Sequence, residues 1–414
     1  MRLTVIVTVC LSILICGCGA IPDNVSAVGI PSPTPFLPNQ ENASDSLYAG
    51  EAPTPVSLPT VTLPDYSPTE TAVIPTDVVP PTATIPPVIN PLTGLPQSDP
   101  SLLDRRPMAV KVANYPRYVR PQSGLSLADQ IFEYYIEGGL TRFIAVFYGS
   151  DSEWVGPVRS GRFFDEHIAR MYQAFLVFKF ADKRVLDYFE TTDIAQFLVV
   201  PTIGSCPPFR LMSTRDIEAY NNNYFNTISW GECVAKNHLP DDKPYLRGNF
   251  SEELPPWLSL EGIRVFTYYS EYSYNYWEYD PASGDYIRYQ EKSDTHDGKE
   301  EAYEILTDNV TSLPVHAANV VVLFAYHEFE NPFQEDDEVY HIDLTGTGEA
   351  YIFRDGLGYP AKWNRVTKDQ PLLLTTDAGI PISLRPGITF YEVIGTNSYA
   401  SQGDGEWFFH HETP

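Results

Sequence analysis

The feature that most restricts what this chain can fold into is a stretch without a single Lys or Arg, from Ile21 to Asn90, in which Pro, Thr, Ser and Val recur. Pro31-Ser32-Pro33-Thr34-Pro35, Pro53-Thr54-Pro55 and Pro80-Pro81-Thr82 show its character. Such a segment cannot bury enough apolar surface to offset the entropy of ordering it. Residues 19–89 therefore read as a disordered tether, and folding is left to the residues from 90 onward. Extended proline-rich chain advances about 3.1 Å per residue, so this stalk reaches on the order of 100–200 Å.

Ahead of the tether, Met1-Arg2 and the apolar run Leu3 to Ile15 read as a signal peptide, shorter than the roughly 20 residues of a membrane span. Ile15-Cys16-Gly17-Cys18 resembles a bacterial lipobox, with a small residue before the cysteine that is acylated. Cys18 fits better than Cys16, because Ile15 would place a bulky side chain at the cleavage position. Residues 1–18 are thus expected to be a lipoprotein signal peptide. Lipid on Cys18 (palmitate in kind) would hold the chain on the extracytoplasmic face of the cell membrane. The formal net charge of -27 speaks against nucleic acid as a partner.

Beyond the tether the pattern predicts an α+β protein: an α/β layered domain over 90–257, a mostly antiparallel β domain over 258–397 and a tail, 398–414. In the first part, strands are expected at Met108 to Val112, Arg142 to Tyr148, Phe175 to Phe180 and Phe197 to Val200. Helices are expected at Phe163 to Tyr172 and Lys183 to Phe189. A further helix is expected after Ser126, where Ser126-Leu127-Ala128-Asp129 resembles a capping box. Apolar residues at 127, 128, 131, 132 and 135 continue it to the Gly138-Gly139 stop.

Twelve of the 27 Lys and Arg fall between Arg105 and Arg184, and Arg120, Arg142, Arg159 and Arg162 lie in or beside turns. Guanidinium groups so placed suit bidentate capture of phosphate or carboxylate, which makes these four the candidate anion-binding residues. The competing assignment is that they pair with Asp129, Glu133, Glu137 and Asp165 and pin loops down. Cys206 and Cys233 would close a disulfide in an oxidising exterior, or else stand as two buried thiols. No CxxC or HExxH accompanies them, so neither a metal site nor a cofactor is expected.

In the second part, an aromatic hairpin runs through Tyr274 to Tyr279, the turn Asp280-Pro281-Ala282-Ser283-Gly284, and Tyr286 to Tyr289. Further strands are expected at Val320 to Phe324, Val339 to Leu344, Glu349 to Phe353, Ala361 to Asn364, Leu372 to Thr375 and Thr389 to Val393, in a small sandwich or barrel. The Tyr/Trp row would serve either as a sugar-stacking platform or as the plain face of a sheet. The acidic run from Glu328 to Glu338 reads as a solvated loop, and Gly346-Thr347-Gly348 as a tight turn.

Asn90-Pro91-Leu92-Thr93-Gly94, Arg106-Pro107-Met108-Ala109-Val110, Arg120-Pro121-Gln122-Ser123-Gly124-Leu125, Glu137-Gly138-Gly139 and Gly156-Pro157-Val158-Arg159-Ser160 resemble the amino-terminal domain of the DUF3048 (YerB-like) lipoproteins. Tyr276-Trp277-Glu278-Tyr279-Asp280, Phe353-Arg354-Asp355-Gly356 and Lys362-Trp363 resemble the carboxy-terminal domain of the same family. The chain departs from that pattern where Ala181-Asp182-Lys183 replaces a Gly-Gly-Ser turn. The resemblance implies a bacterial envelope lipoprotein and assigns no catalytic residue. It points to a binding or scaffolding module partnered with peptidoglycan, an envelope polymer or wall-synthesis proteins. The alternative is an enzyme on anionic envelope glycopolymers, of phosphoglycosyl-transfer kind.

Overall fold

The structure, a computed structural model, describes residues 86–202, 206–334 and 337–414. The signal peptide, Cys18 and the tether up to residue 85 lie outside them. Strands β1 (Met108–Ala113), β2 (Gln130–Tyr135) and β3 (Thr141–Phe147) are buried at every residue. β3 lies antiparallel between β1 and β2. β4 (Phe175–Val177) and β5 (Leu198–Val199) extend the sheet in parallel beside β1.

On its other edge β2 pairs in parallel with the strand Thr389–Gly395, and Asn319–Phe329, Gly346–Arg354, Leu357–Arg365 and Leu373–Thr375 come next in order. One 12-stranded sheet therefore runs through both halves of the sequence, and segments 90–257 and 258–397 share a core. This corrects the expected small sandwich or barrel. Two of its strands, Asn319–Phe329 and Thr389–Gly395, are parallel neighbours, fully or largely buried, and join the first half's sheet.

β2 also overturns the helix expected after Ser126. Its residues Ile131, Phe132, Tyr134 and Tyr135 are buried on both faces, so the apolar run has no period of two to betray a strand. Only a short 3-10 turn, Leu125–Leu127, forms ahead of it. The expected helices do form as α1 (Asp165–Met171) and α2 (Lys183–Thr191), and a third, α3 (Thr227–Asn237), follows later in the first half. Cys233 of α3 is bonded to Cys206, with Cα atoms 5.6 Å apart.

The mixed sheet is the middle layer. On one face, α1 and α2 pack through Phe164 against Tyr134 (4.5 Å between ring centroids) and Phe189 against Phe178 (5.8 Å). On the other lies a second, seven-stranded sheet containing the hairpin Ser273–Asp280 and Asp285–Glu291 beside Arg264–Ser270. Trp277 packs there on Phe390, centroids 4.7 Å apart. The expected tail proves to be two strands of this sheet, Tyr399–Gly403 and Glu406–His410, because alternating Trp407 and Phe409 drop into the core. Gly346-Thr347-Gly348 likewise opens a strand instead of making a tight turn: a Cβ at Gly348 would lie 2.4 Å from Trp363 Nε1.

Candidate functional site

β1, β2 and β4 point the same way, so their carboxyl ends share one edge of the mixed sheet. Loops leaving such an edge commonly line ligand crevices. Here Glu137-Gly138 after β2, Ser160 to Arg162, and Phe180 to Asp182 after β4 border a cleft of about 850 Å³. Asp182 caps α2, its carboxylate accepting from Arg184 N at 2.9 Å.

Of the four candidate arginines Arg162 lines this cleft, and Arg142 and Arg159 stand behind its wall, against Ser160 and Tyr220. Arg142 Nη1 donates to the Ser160 carbonyl at 3.0 Å, and Arg162 Nη1 donates to the same oxygen at 3.3 Å. Arg162 Nε donates to Glu137 Oε2 at 2.7 Å and Nη2 closes a bidentate pair on Oε1. Arg142 reaches that carboxylate only at 3.9 Å. Arg159 donates to Asn221 Oδ1 at 2.6 Å and lies 4.8 Å from the centroid of the Tyr220 ring, while its Nε is buried without a partner. Lys179 Nζ, 5.0 Å from the same ring centroid, adds a fourth cation.

Arg142 and Arg162 share the carboxylate of Glu137, whereas Arg159 has Asn221 and the Tyr220 ring in place of a carboxylate. The imbalance is legible in Arg142, whose pKa is pulled down to about 9, first by burial and then by Arg162, with Arg159 adding to the effect. Lys179 is lowered too, by burial and then by Arg159. Like charges crowded in a protein of net charge -27 mark a place where an anion would relieve repulsion. Beneath lies Lys111, fully buried, donating to Asp165 Oδ1 at 3.0 Å and to the Tyr134 hydroxyl. Burial pulls its pKa down to about 7 against the pull of Asp165. Asp165 in turn accepts from the Arg162 amide at 2.8 Å, tying the lysine to the cleft.

Arg120 is elsewhere. It donates to Asn114 O and Oδ1 (both 3.1 Å), to Glu291 O (2.6 Å) and to the Glu291 carboxylate, fastening the two sheets together. Asp129 also leaves the site: it accepts from Asn90 Nδ2 (2.7 Å) and the amides of Tyr148 (2.6 Å) and Gly149 (3.0 Å). Burial pushes its pKa up to about 6. Glu133 faces the second sheet, pairing with Arg288, which also donates to Glu392 Oε1 at 2.9 Å. Of the acidic candidates only Glu137 meets the candidate guanidiniums; Asp165 takes the Arg162 backbone amide and Lys111.

The sequence reading missed Lys111, Lys179, Arg184 and Tyr220. A lysine inside the apolar run Met108 to Val112 was the available signal, since a charge there must find a buried partner. The acidic run was not simply solvated either: Asp337 takes a bidentate pair from Arg184 (2.6 and 2.9 Å), and the Glu338 carboxylate accepts from the Gly138 amide at the cleft's rim. The aromatic row stacks on itself, with Tyr289, Tyr276, Phe266 and Phe408 spaced 4.4, 5.0 and 4.7 Å apart across adjacent strands. Their faces are taken by one another, so the row is a cross-strand ladder and not a sugar platform.

Three comparisons bear on identity. The chain is 27% identical over 324 residues to "Putative lipoprotein YerB" of Bacillus subtilis (strain 168), covering 76% of this chain and 89% of that one. The crystal structure of YerB protein from Bacillus subtilis superposes with a TM-score of 0.61 at 23% identity, over 74% of this chain and 96% of that chain, and shows the same α+β fold. Residues 92–239 match the profile "Protein of unknown function (DUF3048) N-terminal domain" and residues 264–391 match its C-terminal counterpart. With these two matches, in order, over two thirds of its length, the chain belongs to the DUF3048 family.

Proposed function

We propose that the protein is a lipid-anchored binding module on the extracytoplasmic face of a bacterial cell membrane, whose cleft takes an anionic group of an envelope polymer. The anchor is supported by Cys18 in its lipobox and by the similarity to a protein named as a lipoprotein. The stalk of 19–89 would hold the body away from the bilayer, within reach of the wall. The anion is argued from one observation: Arg142 and Arg162 share the carboxylate of Glu137, and Arg159 stands near them with no carboxylate of its own. Guanidinium forks hold phosphate and carboxylate bidentately, which suits phosphodiester polymers better than neutral glycan.

Calorimetry on the full chain in phospholipid nanodiscs tests this, with poly(glycerol phosphate) and neutral muropeptides as ligands. The reading expects saturable binding of the phosphate polymer alone, weakened at least tenfold by Arg142→Ala or Arg159→Ala. Equal binding by parent and variants, or none, removes it. Turnover of the polymer in place of stoichiometric binding would favour the enzyme alternative.

A further inference from the structure

A second cavity, separate from the cleft, lies past the carboxyl end of α1 on the helix-bearing face of the mixed sheet. Two irregular segments, 246–250 and 366–372, roof the strands there and leave about 460 Å³. That volume falls within the range of small-molecule sites. Leu92, Met171, Phe250, Leu374, Ile382 and Leu384 supply apolar walls. Three polar side chains of the floor, Gln130, Tyr172 and Asn364, are already engaged. Gln130 donates to Leu92 O at 2.8 Å and accepts from the Tyr172 hydroxyl, and Asn364 donates to Thr375 Oγ1 at 2.9 Å. The interior therefore offers hydrocarbon and few free hydrogen bonds.

The mouth has a different chemistry. Val366 and Leu373 lie 76% and 43% exposed, and Arg247 stands among the lining residues. Among the described residues Arg247 has no ion pair or hydrogen bond; it lies only against the Tyr245 ring, 4.9 Å from its centroid. Most arginines of the described residues have a carboxylate, so the Arg247 guanidinium at the apolar mouth keeps its donors free for an anion. An apolar chamber with a cation at its opening fits a ligand with a hydrocarbon chain and an anionic head. We propose that this cavity binds a single-chain anionic amphiphile, its chain inside and its head at Arg247.

The test uses the full chain carrying Cys18→Ser, so that no acyl group of its own can compete. A dansylated fatty acid is bound and then displaced by laurate, dodecyl phosphate or dodecanol, each below its micelle concentration. Displacement at micromolar concentration is expected for at least one anion, with dodecanol weaker. The tighter anion shows whether the ligand is a fatty acid or a lipid phosphate. Leu372→Trp and Ile382→Phe both fill the chamber and are expected to weaken binding at least tenfold. If the first variant does not fold, the second carries the test. Arg247→Glu is expected to weaken both anions about tenfold and leave dodecanol unchanged. No displacement by any ligand, dodecanol binding as tightly as both anions, or filling variants that bind like the parent would overturn the proposal.

Discussion

Two arginine–glutamate groups in this molecule look alike in composition and differ in closure. Between the sheets, Arg288 is fully buried and its donors are consumed by Glu133, by Glu392 at 2.9 Å and by Gln290. Tyr269 adds a hydroxyl to Glu392 at 3.0 Å and Trp277 an indole N–H at 2.8 Å. There acids outnumber the base. In the cleft Arg142 and Arg162 share Glu137, Arg159 beside them bonds Asn221, and donors are left over. A closed, dry group of this kind specifies how layers meet, whereas an open group with surplus charge is a place for a ligand.

Breaking the closed group should have the largest effect. Arg288→Leu leaves two carboxylates facing each other without a cation, on adjacent parallel strands at paired positions. A loss of roughly 3–5 kcal/mol is expected in urea unfolding, the usual cost of stranding a buried charge. The next effect is in pH. Burial raises the Glu133 pKa above the ordinary carboxylate value, more than Arg288 lowers it, and Glu392 adds to the rise. The native state therefore keeps a proton that the unfolded chain has released. That contribution to stability is complete below the ordinary glutamate pKa and is lost as pH rises through the raised value. Glu133→Gln, which stands in for the protonated acid, should abolish this decline, read as the difference between the two stability–pH curves. If the difference is flat, the network does not hold a proton.

The two groups were unequally legible. Arg142, Arg159, Arg162 and Glu137 stand beside Gly138-Gly139 and Gly156-Pro157, and turn chemistry advertises element ends within one stretch of sequence. Glu133 and Arg288 are 155 residues apart and meet only because two sheets stack. Nothing local announces that partnership beyond a charge inside an apolar or aromatic run. β2 failed for a related reason: a strand buried on both faces loses the alternation by which strands are read, and Leu127, Ala128, Ile131, Phe132 and Tyr135 fall by chance at helical spacing. Arg120 misled because its partner, Glu291, also comes from the other sheet.

Breaking the open group should leave stability almost alone and change binding. Arg142→Ala removes a guanidinium already held at a disadvantage by burial and by its neighbours, so the thermal midpoint should move by no more than a few degrees. Anion affinity should fall by about 10- to 100-fold, the weight of a charge-assisted hydrogen bond of roughly 1.5–3 kcal/mol. The converse result, a large loss of stability with unchanged affinity, would make this group structural like the other.

The smallest effect is expected at the rim. Arg184 is over a third exposed and holds Asp182 and Asp337, closing the cleft by a contact that water and salt screen. An exposed pair of this type contributes about 0–1 kcal/mol. Arg184→Ala should thus cost little in unfolding, and should free Asp337 and Asp182 to repel an incoming anion. The expected sign is a slower association rate at low salt, with parent and variant converging near 1 M salt, where charges beyond about 3 Å no longer feel one another. A variant that associates faster at every salt concentration would show that Arg184 guards the cleft as a closed latch, and would move the rim from the open group to the closed one.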